Sequence, residues 1–287
     1  MSEGETKLAD QRGKFTQVVK DGRKVPDLEW IAGRILLSNK RLILASNEGK
    51  RTIPLKKVAG IKSRTDAAKP LAKVSNYLSL QVGNDVTLVA PQNHEAFEQH
   101  LFGALLDQQL VLIKHPAVEG GVVQSVDWSK GRLTVEEGEV ALAIVSGEFV
   151  EIEIDDVGTV AEQDTEVRGE ERLVIEVEHT VEGTAVETHI SGPRRKVNIL
   201  AALLRKGEQK NTTDVELTDE ENEVLMALYS GVSPFQIPDF VGMDVDRVED
   251  IYDQLVEEGI LEEVRTRREV SLQARGRHVA TEAMDEE

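Results

Sequence analysis

Six histidines, at positions 94, 100, 115, 179, 189 and 278, are the side chains best suited to metal binding or proton transfer near neutral pH. Their spacing matches no metal-ligand motif. His179 and His189 flank one expected hairpin, but a tight turn near Glu182-Gly183 would not set them opposite each other, so a packed or surface role is expected for both. The chain has no cysteine, which removes disulfides and thiolate sites. No phosphate loop, dinucleotide fingerprint or nucleophile elbow occurs. With 53 acidic residues, paired carboxylates arise by chance and specify no general acid or base. These residues point to no enzyme, no cofactor and no metal. The chemistry they do carry is surface charge.

Two groups of cations are candidate partner-binding residues. Lys56, Lys57, Lys62 and Arg64 form one basic stretch, suited to an acidic partner patch. Arg265, Arg267 and Arg268, with Arg275 and Arg277 nearby, form the other; guanidinium groups grip either phosphates or protein carboxylates. Arg247 is a further candidate partner-binding residue, alone among seven acids, Asp244, Asp246, Glu249, Asp250, Asp253, Glu257 and Glu258.

Charge is unevenly spread along the 287 residues. Residues 1–80 hold 17 Lys/Arg and 8 Asp/Glu, a net of +9, whereas the remaining 207 hold 17 and 45, a net of −28. Such polarity marks a partner-facing end. The overall charge of −19 in an aromatic-poor chain is what a salt-stressed halophilic cytoplasm favours, because dense carboxylates hold water and counterions. A hydrophobic content of 40% is enough to fold. No apolar run approaches the roughly 20 residues that cross a bilayer, and the polar start MSEGETKLAD lacks a signal-peptide core, so a cytoplasmic location is expected.

The elements that position these residues can be placed from periodicity. Runs at Phe15–Val19, Ile31–Leu37, Leu42–Ala45, Leu78–Val82 and Val86–Ala90 are β-branched or alternating and predict strands. Turns at Ser38-Asn39-Lys40 and Asn47-Glu48-Gly49 separate some of them. Phe97, Leu101, Leu105 and Leu106 then recur at helical spacing, with Asn93 as N-cap.

The plan repeats. Trp30-x-x-Gly33-Arg34 recurs as Trp128-x-x-Gly131-Arg132, and Ile53, Leu55, Val58 and Ile61 recur as Ile152, Ile154, Val157 and Val160. A second strand pair, Leu173–Val177 and Thr184–Ile190, again precedes a helix, carrying Val197, Leu200, Leu203 and Leu204. Matching order at near-constant offset predicts a duplicated domain. Beyond residue 211, Thr218-Asp219-Glu220-Glu221 reads as a capping box for a helix with Val224, Leu225 and Leu228 on one face. Ser233-Pro234 opens a short second helix. Asp244 caps a third, with Val245, Val248, Ile251, Tyr252 and Leu255 as its apolar face and Gly259 as its stop. A hairpin of Ile260–Arg265 and Glu269–Leu272, then a last helix after Gln273, complete the order of a winged helix.

The segment Gly33-Arg34-Ile35-Leu36-Leu37-Ser38-Asn39-Lys40-Arg41-Leu42-Ile43-Leu44, followed by Ile53-Pro54-Leu55, resembles the hairpin and strand of pleckstrin-homology-like (PH-like) and GRAM domains. The expected fold is therefore multidomain α+β: a basic PH-like module over 1–110, an acidic one over 111–210, each closed by a helix, and a winged helix over 211–287. That architecture, with Gly33–Leu44, Ile53–Ile61 and Leu217–Gly259 carrying the likeness, resembles the archaeal chemotaxis adaptor family CheF, of haloarchaeal type. The resemblance implies an adaptor between the phosphorylated response regulator CheY and the archaellum motor switch, with contacts to CheC and CheD proteins. Two alternatives stay open. A winged helix with an arginine wing could serve a transcription regulator, although a DNA-reading third helix would not carry seven acids. Lys56, Lys57, Lys62 and Arg64 could instead recruit the chain to an anionic membrane.

Overall fold

The computed structural model describes residues 4–26, 28–62, 74, 76–211 and 217–261. These form a mixed α+β chain of antiparallel sheets followed by helices, in two compact units, the second opening at Leu217.

The first unit holds two sheets built to one plan. The first contains β1 (Lys7–Lys20), β2 (Arg23–Lys24), β3 (Ile31–Ser38), β4 (Arg41–Ser46), β5 (Gly49–Pro54), β6 (Val58–Lys62), β7 (Leu78–Val82) and β8 (Asp85–Pro91), and α1 (His94–Leu106) follows it. The second contains β9 (Gln109–Glu119), β10 (Val122–Val123), β11 (Ser129–Glu136), β12 (Glu139–Ile144), β13 (Phe149–Glu153), β14 (Val160–Val167), β15 (Glu170–Val181) and β16 (Thr184–Ser191), followed by α2 (Arg194–Asn211). Among the described residues, the strand order β5-β4-β3-β1-β8-β7-β6 recurs as β13-β12-β11-β9-β16-β15-β14. A 3-10 turn bridges β5 to β6 at Leu55–Lys57 and β13 to β14 at Ile154–Asp156.

The repeated Gly-Arg pair has a packing cause. A Cβ on Gly33 would lie 2.2 Å from the Ala45 carbonyl oxygen, and one on Gly131 would lie 2.3 Å from Ile113 Cδ1. At Gly33 the clash is with backbone, so only glycine lets the neighbouring strands close there, whereas at Gly131 the tip of the Ile113 side chain would have to move. Alternation sets the inner face, where Ile35, Leu37, Leu42 and Leu44 are all buried. Asn93 caps α1, its side chain accepting from Ala96 N at 3.3 Å.

α1 and α2 cover one continuous core that runs through both sheets, from Phe97, Leu101 and Phe102 to Val197, Leu200 and Leu204. Polar contacts reinforce it. Arg195 on α2 donates to the carbonyls of Leu55 and Val58, Lys196 to the carbonyl of Leu105, and Lys206 pairs with the buried Glu98 of α1. The residue 110/111 boundary expected from the repeat therefore falls within a shared core.

The second unit packs α3 (Asp219–Tyr229), α4 (Ile237–Val241) and α5 (Val245–Glu257) around Val224, Ala227, Ile237, Val248, Ile251 and Leu255. The capping box forms as read: Thr218 N donates to Glu221 Oε2 at 2.7 Å, and Glu221 N to Thr218 Oγ1 at 3.3 Å. Asp244 occupies the N-cap of α5 without a side-chain capping bond. Val245, expected on the apolar face, is exposed, because it precedes the first residue that the core can reach. Gly259 stops the helix with φ 72°. Of the expected hairpin, Ile260–Arg265 and Glu269–Leu272, all but Ile260 and Leu261 lies outside the described residues, as does the last helix.

Candidate partner-binding surfaces

Lys56 and Lys57 sit side by side and exposed in the turn Leu55–Lys57. The turn is held from beneath. Leu55 and Val58 are buried, and the Arg195 guanidinium takes up both their carbonyls. Burial beside the core lowers the Arg195 pKa from its ordinary value. Lys56 and Lys57 therefore project from a fixed platform at the end of β5. Lys62 closes β6 a few residues on. Arg64, Arg265, Arg267 and Arg268 lie outside the described residues.

Arg247 is exposed on α5, yet it is engaged. Its Nε donates to Glu220 Oε2 on α3 at 2.8 Å, and Nη2 reaches the same oxygen. The hydrogen bond that it donates to Glu220 raises its pKa. Asp246, Glu249, Asp250, Asp253 and Glu257 occupy the solvent face of the same helix. The face of α5 is thus more anionic than the residue count suggests, since its only base is neutralised by a neighbour.

Two further features emerge from the cross-strand registers. Arg12 and Arg34 stand opposite each other on β1 and β3, with Lys14 beside them, all exposed. Asp10 binds Arg34 through bonds of 2.6 and 2.8 Å, and that contact holds the Asp10 carboxyl below its ordinary range. Period-two alternation over 10–16 and 32–36 is the signal that could have revealed this cationic face. On the second sheet, Leu110 is 69% and Phe149 60% exposed at the ends of the equivalent cross-strand row through Arg132 and Ala143.

The histidines fall into two settings. His115 Nδ1 and His179 Nε2 both contact the Thr188 hydroxyl, at 2.7 and 2.8 Å, with the rings stacked 6.0 Å apart in the interior. Burial pushes His179 down to about 4. His189 points to the other face, beside Glu176 and Glu187.

A family profile described as archaeal chemotaxis signal transduction system protein F matches residues 7–210, which is both sheets and both closing helices. The chain belongs to the archaeal CheF family. A second profile, for a domain of unknown function, matches residues 216–285. The chain is 50% identical over 290 residues to taxis protein CheF1 of Halobacterium salinarum, covering all of both chains. It is 26% identical over 251 residues to taxis protein CheF2 of the same organism, covering 83% of this chain and 87% of the relative.

As a CheF family member the chain takes part in archaeal chemotaxis signalling, a role exercised among other chemotaxis proteins. No helix among the described residues is long and apolar enough to cross a membrane. The CheF match ends at 210 and the second begins at 216, close to where the second unit opens at Leu217.

Proposed function

We propose that this CheF family member is a non-enzymatic cytoplasmic adaptor, coupling the response regulator CheY to the switch complex of the archaellum motor with CheC and CheD proteins as further partners. The observation that carries the reading is the likeness to taxis protein CheF1 over the full length of both chains. The fold is compatible with it. Two sheets of one strand order, each closed by a helix, suit tandem PH-like modules, and the order α3, α4, α5 suits a winged helix whose wing would be the segment bearing Arg265, Arg267 and Arg268. Both are interaction folds, and the dense carboxylates suit a halophilic cell interior.

Two surfaces would take partners. Lys56 and Lys57, with Lys62 and Arg64, present cations to an acidic surface such as a response regulator's phosphorylation pocket. The wing with the acidic α5 presents the second, and Arg247 there serves to orient α3 against α5. A DNA-reading role gains no support, because α5 would bring carboxylates toward phosphates and its base is already paired.

The test is a pull-down in concentrated KCl with CheY from the same cell, with and without beryllofluoride. Retention that strengthens with the phosphoryl mimic is expected. No complex in either state would remove the proposal.

A further inference from the structure

The two modules carry different chemistry at equivalent positions. In the first sheet, Val89 of β8 lies between Phe15 of β1 and Leu78 of β7; in the second, Ile190 of β16 lies between Ile113 of β9 and Ile175 of β15. One step along the strands reverses the face. The first sheet there pairs Leu88 with Ser79, and Val86 follows two residues before Leu88. The second pairs His189 with Glu176, and Glu187 stands two residues before His189. Trp30 joins Tyr77, Leu88 and Val86 in one apolar cluster on that face of the first sheet. Trp128 is its counterpart on the second, its ring 6.3 Å from that of His189. Leu88 and Val86, part of that apolar cluster in one module, are replaced by an imidazole and a carboxylate in the other, and Ser79 is replaced by the second carboxylate.

The donor atoms of Glu176, Glu187 and His189 all lie within 4.8 Å of one another. The side chains are 20, 32 and 17% exposed, so water screens them only in part. His189 Nε2 contacts Glu187 and lies 3.8 Å from Glu176. The Gln163 amide donates to Glu176 and orients it from β14. Two carboxylates and an imidazole nitrogen converge here, a donor set of the kind that a divalent cation takes. Lys114, opposite His189 on β9, makes no ion pair among the described residues.

We propose that Glu176, Glu187 and His189 form a binding site for one divalent transition ion, with Zn²⁺ the best fit to one nitrogen and two oxygen donors. Imidazole with carboxylate suits Zn²⁺, and three protein ligands leave a position open for water or for a group from a partner. The ligands come from two adjacent strands of one rigid sheet, and Gln163 supplies the outer-sphere hydrogen bond that fixes a ligating carboxylate. The ion would clip β15 to β16 on the outer face.

The experiment is isothermal titration of metal-stripped full-length chain with Zn²⁺ in concentrated KCl, with Co²⁺ absorption as a spectroscopic check. One ion per chain is expected. His189→Leu, the residue that the first module uses, should weaken binding by at least the roughly tenfold to hundredfold that outer-sphere partners alone are worth. Glu176→Gln, which preserves shape, should weaken it as well, with an unchanged circular dichroism spectrum, and so covers the case in which the leucine variant fails to fold. No stoichiometric uptake by the unaltered chain, or equal uptake by it and a folded variant, overturns the site.

Discussion

Arg195, on α2, donates a hydrogen bond to the main-chain carbonyl of Leu55, 2.6 Å away and 140 positions earlier in the chain. The same guanidinium reaches the carbonyl of Val58, so one side chain from the second module satisfies two acceptors at the edge of the first. Arg195→Ala leaves both carbonyls without that donor. It should lower the unfolding free energy by about 2 kcal/mol, the range for hydrogen bonds from a charged group. Lysine, a single-point donor, should restore only part of it. Denaturant titration in concentrated KCl measures the difference, and an unmoved midpoint contradicts the bridge.

The buried imidazoles set a pH dependence. Burial holds His179 near 4, below its ordinary 6.5, and pushes His115 down too. The unfolded chain takes up protons on these rings near pH 6.5 while the folded chain keeps them neutral. The unfolded state therefore binds more protons, and stability falls as pH drops from about 6.5 toward about 4. The slope contributed by His179 reaches about 1.4 kcal/mol per pH unit. Asp10 and Asp164, held below 3.8 by hydrogen bonds from Arg34 and Arg194, lose their contribution only at lower pH, so the two windows separate. His179→Gln, which retains a partner for Thr188, should flatten the curve of denaturation midpoint against pH between 6.5 and 4.

Two helical glycines should respond in opposite directions to alanine. On α2, a Cβ at Gly207 would lie 1.7 Å from the Ile154 carbonyl oxygen, in the turn joining β13 to β14. Gly207→Ala must push the helix off the sheet, costing about 1–3 kcal/mol as overpacking does. On α1, a Cβ at Gly103 would meet nothing within 4 Å. Gly103→Ala should stabilise by roughly 0.5–1 kcal/mol through helix propensity. Thermal unfolding of the pair checks both signs, and equal behaviour would mean that α2 does not seat as described.

These contrasts mark how far linear patterning reaches. The strands at Ile31–Leu37 and Leu78–Val82, the Asn93 cap and the Thr218 capping box rest on local periodicity and local hydrogen bonds, and each appears where it was read. β1 runs from Lys7, well before the expected Phe15, because its outer positions are polar and hide the alternation. Arg195, Lys196 and Lys206 read as ordinary helix cations, yet they bind elements roughly 90–140 positions away, contacts that only the packed sheets create. The approach of Glu176 to His189 depends likewise on the register of β15 against β16, which no motif spacing encodes.

Lys56 and Lys57 offer the most direct test of the adaptor reading, because their platform separates function from folding. Both are exposed, and the turn beneath them is held by Leu55, Val58 and Arg195 rather than by the ammonium groups. Changing both to Glu should therefore alter stability by no more than about 0.5 kcal/mol each. Binding to an acidic CheY surface should fall sharply, since like charges would then face each other. Near molar salt the Debye length is only ~3 Å, so the loss requires direct contact and should persist in concentrated KCl instead of fading with ionic strength. Titration of beryllofluoride-activated CheY against both proteins reads the outcome. Equal affinity would move the binding surface away from this turn and leave the second unit as the place to look.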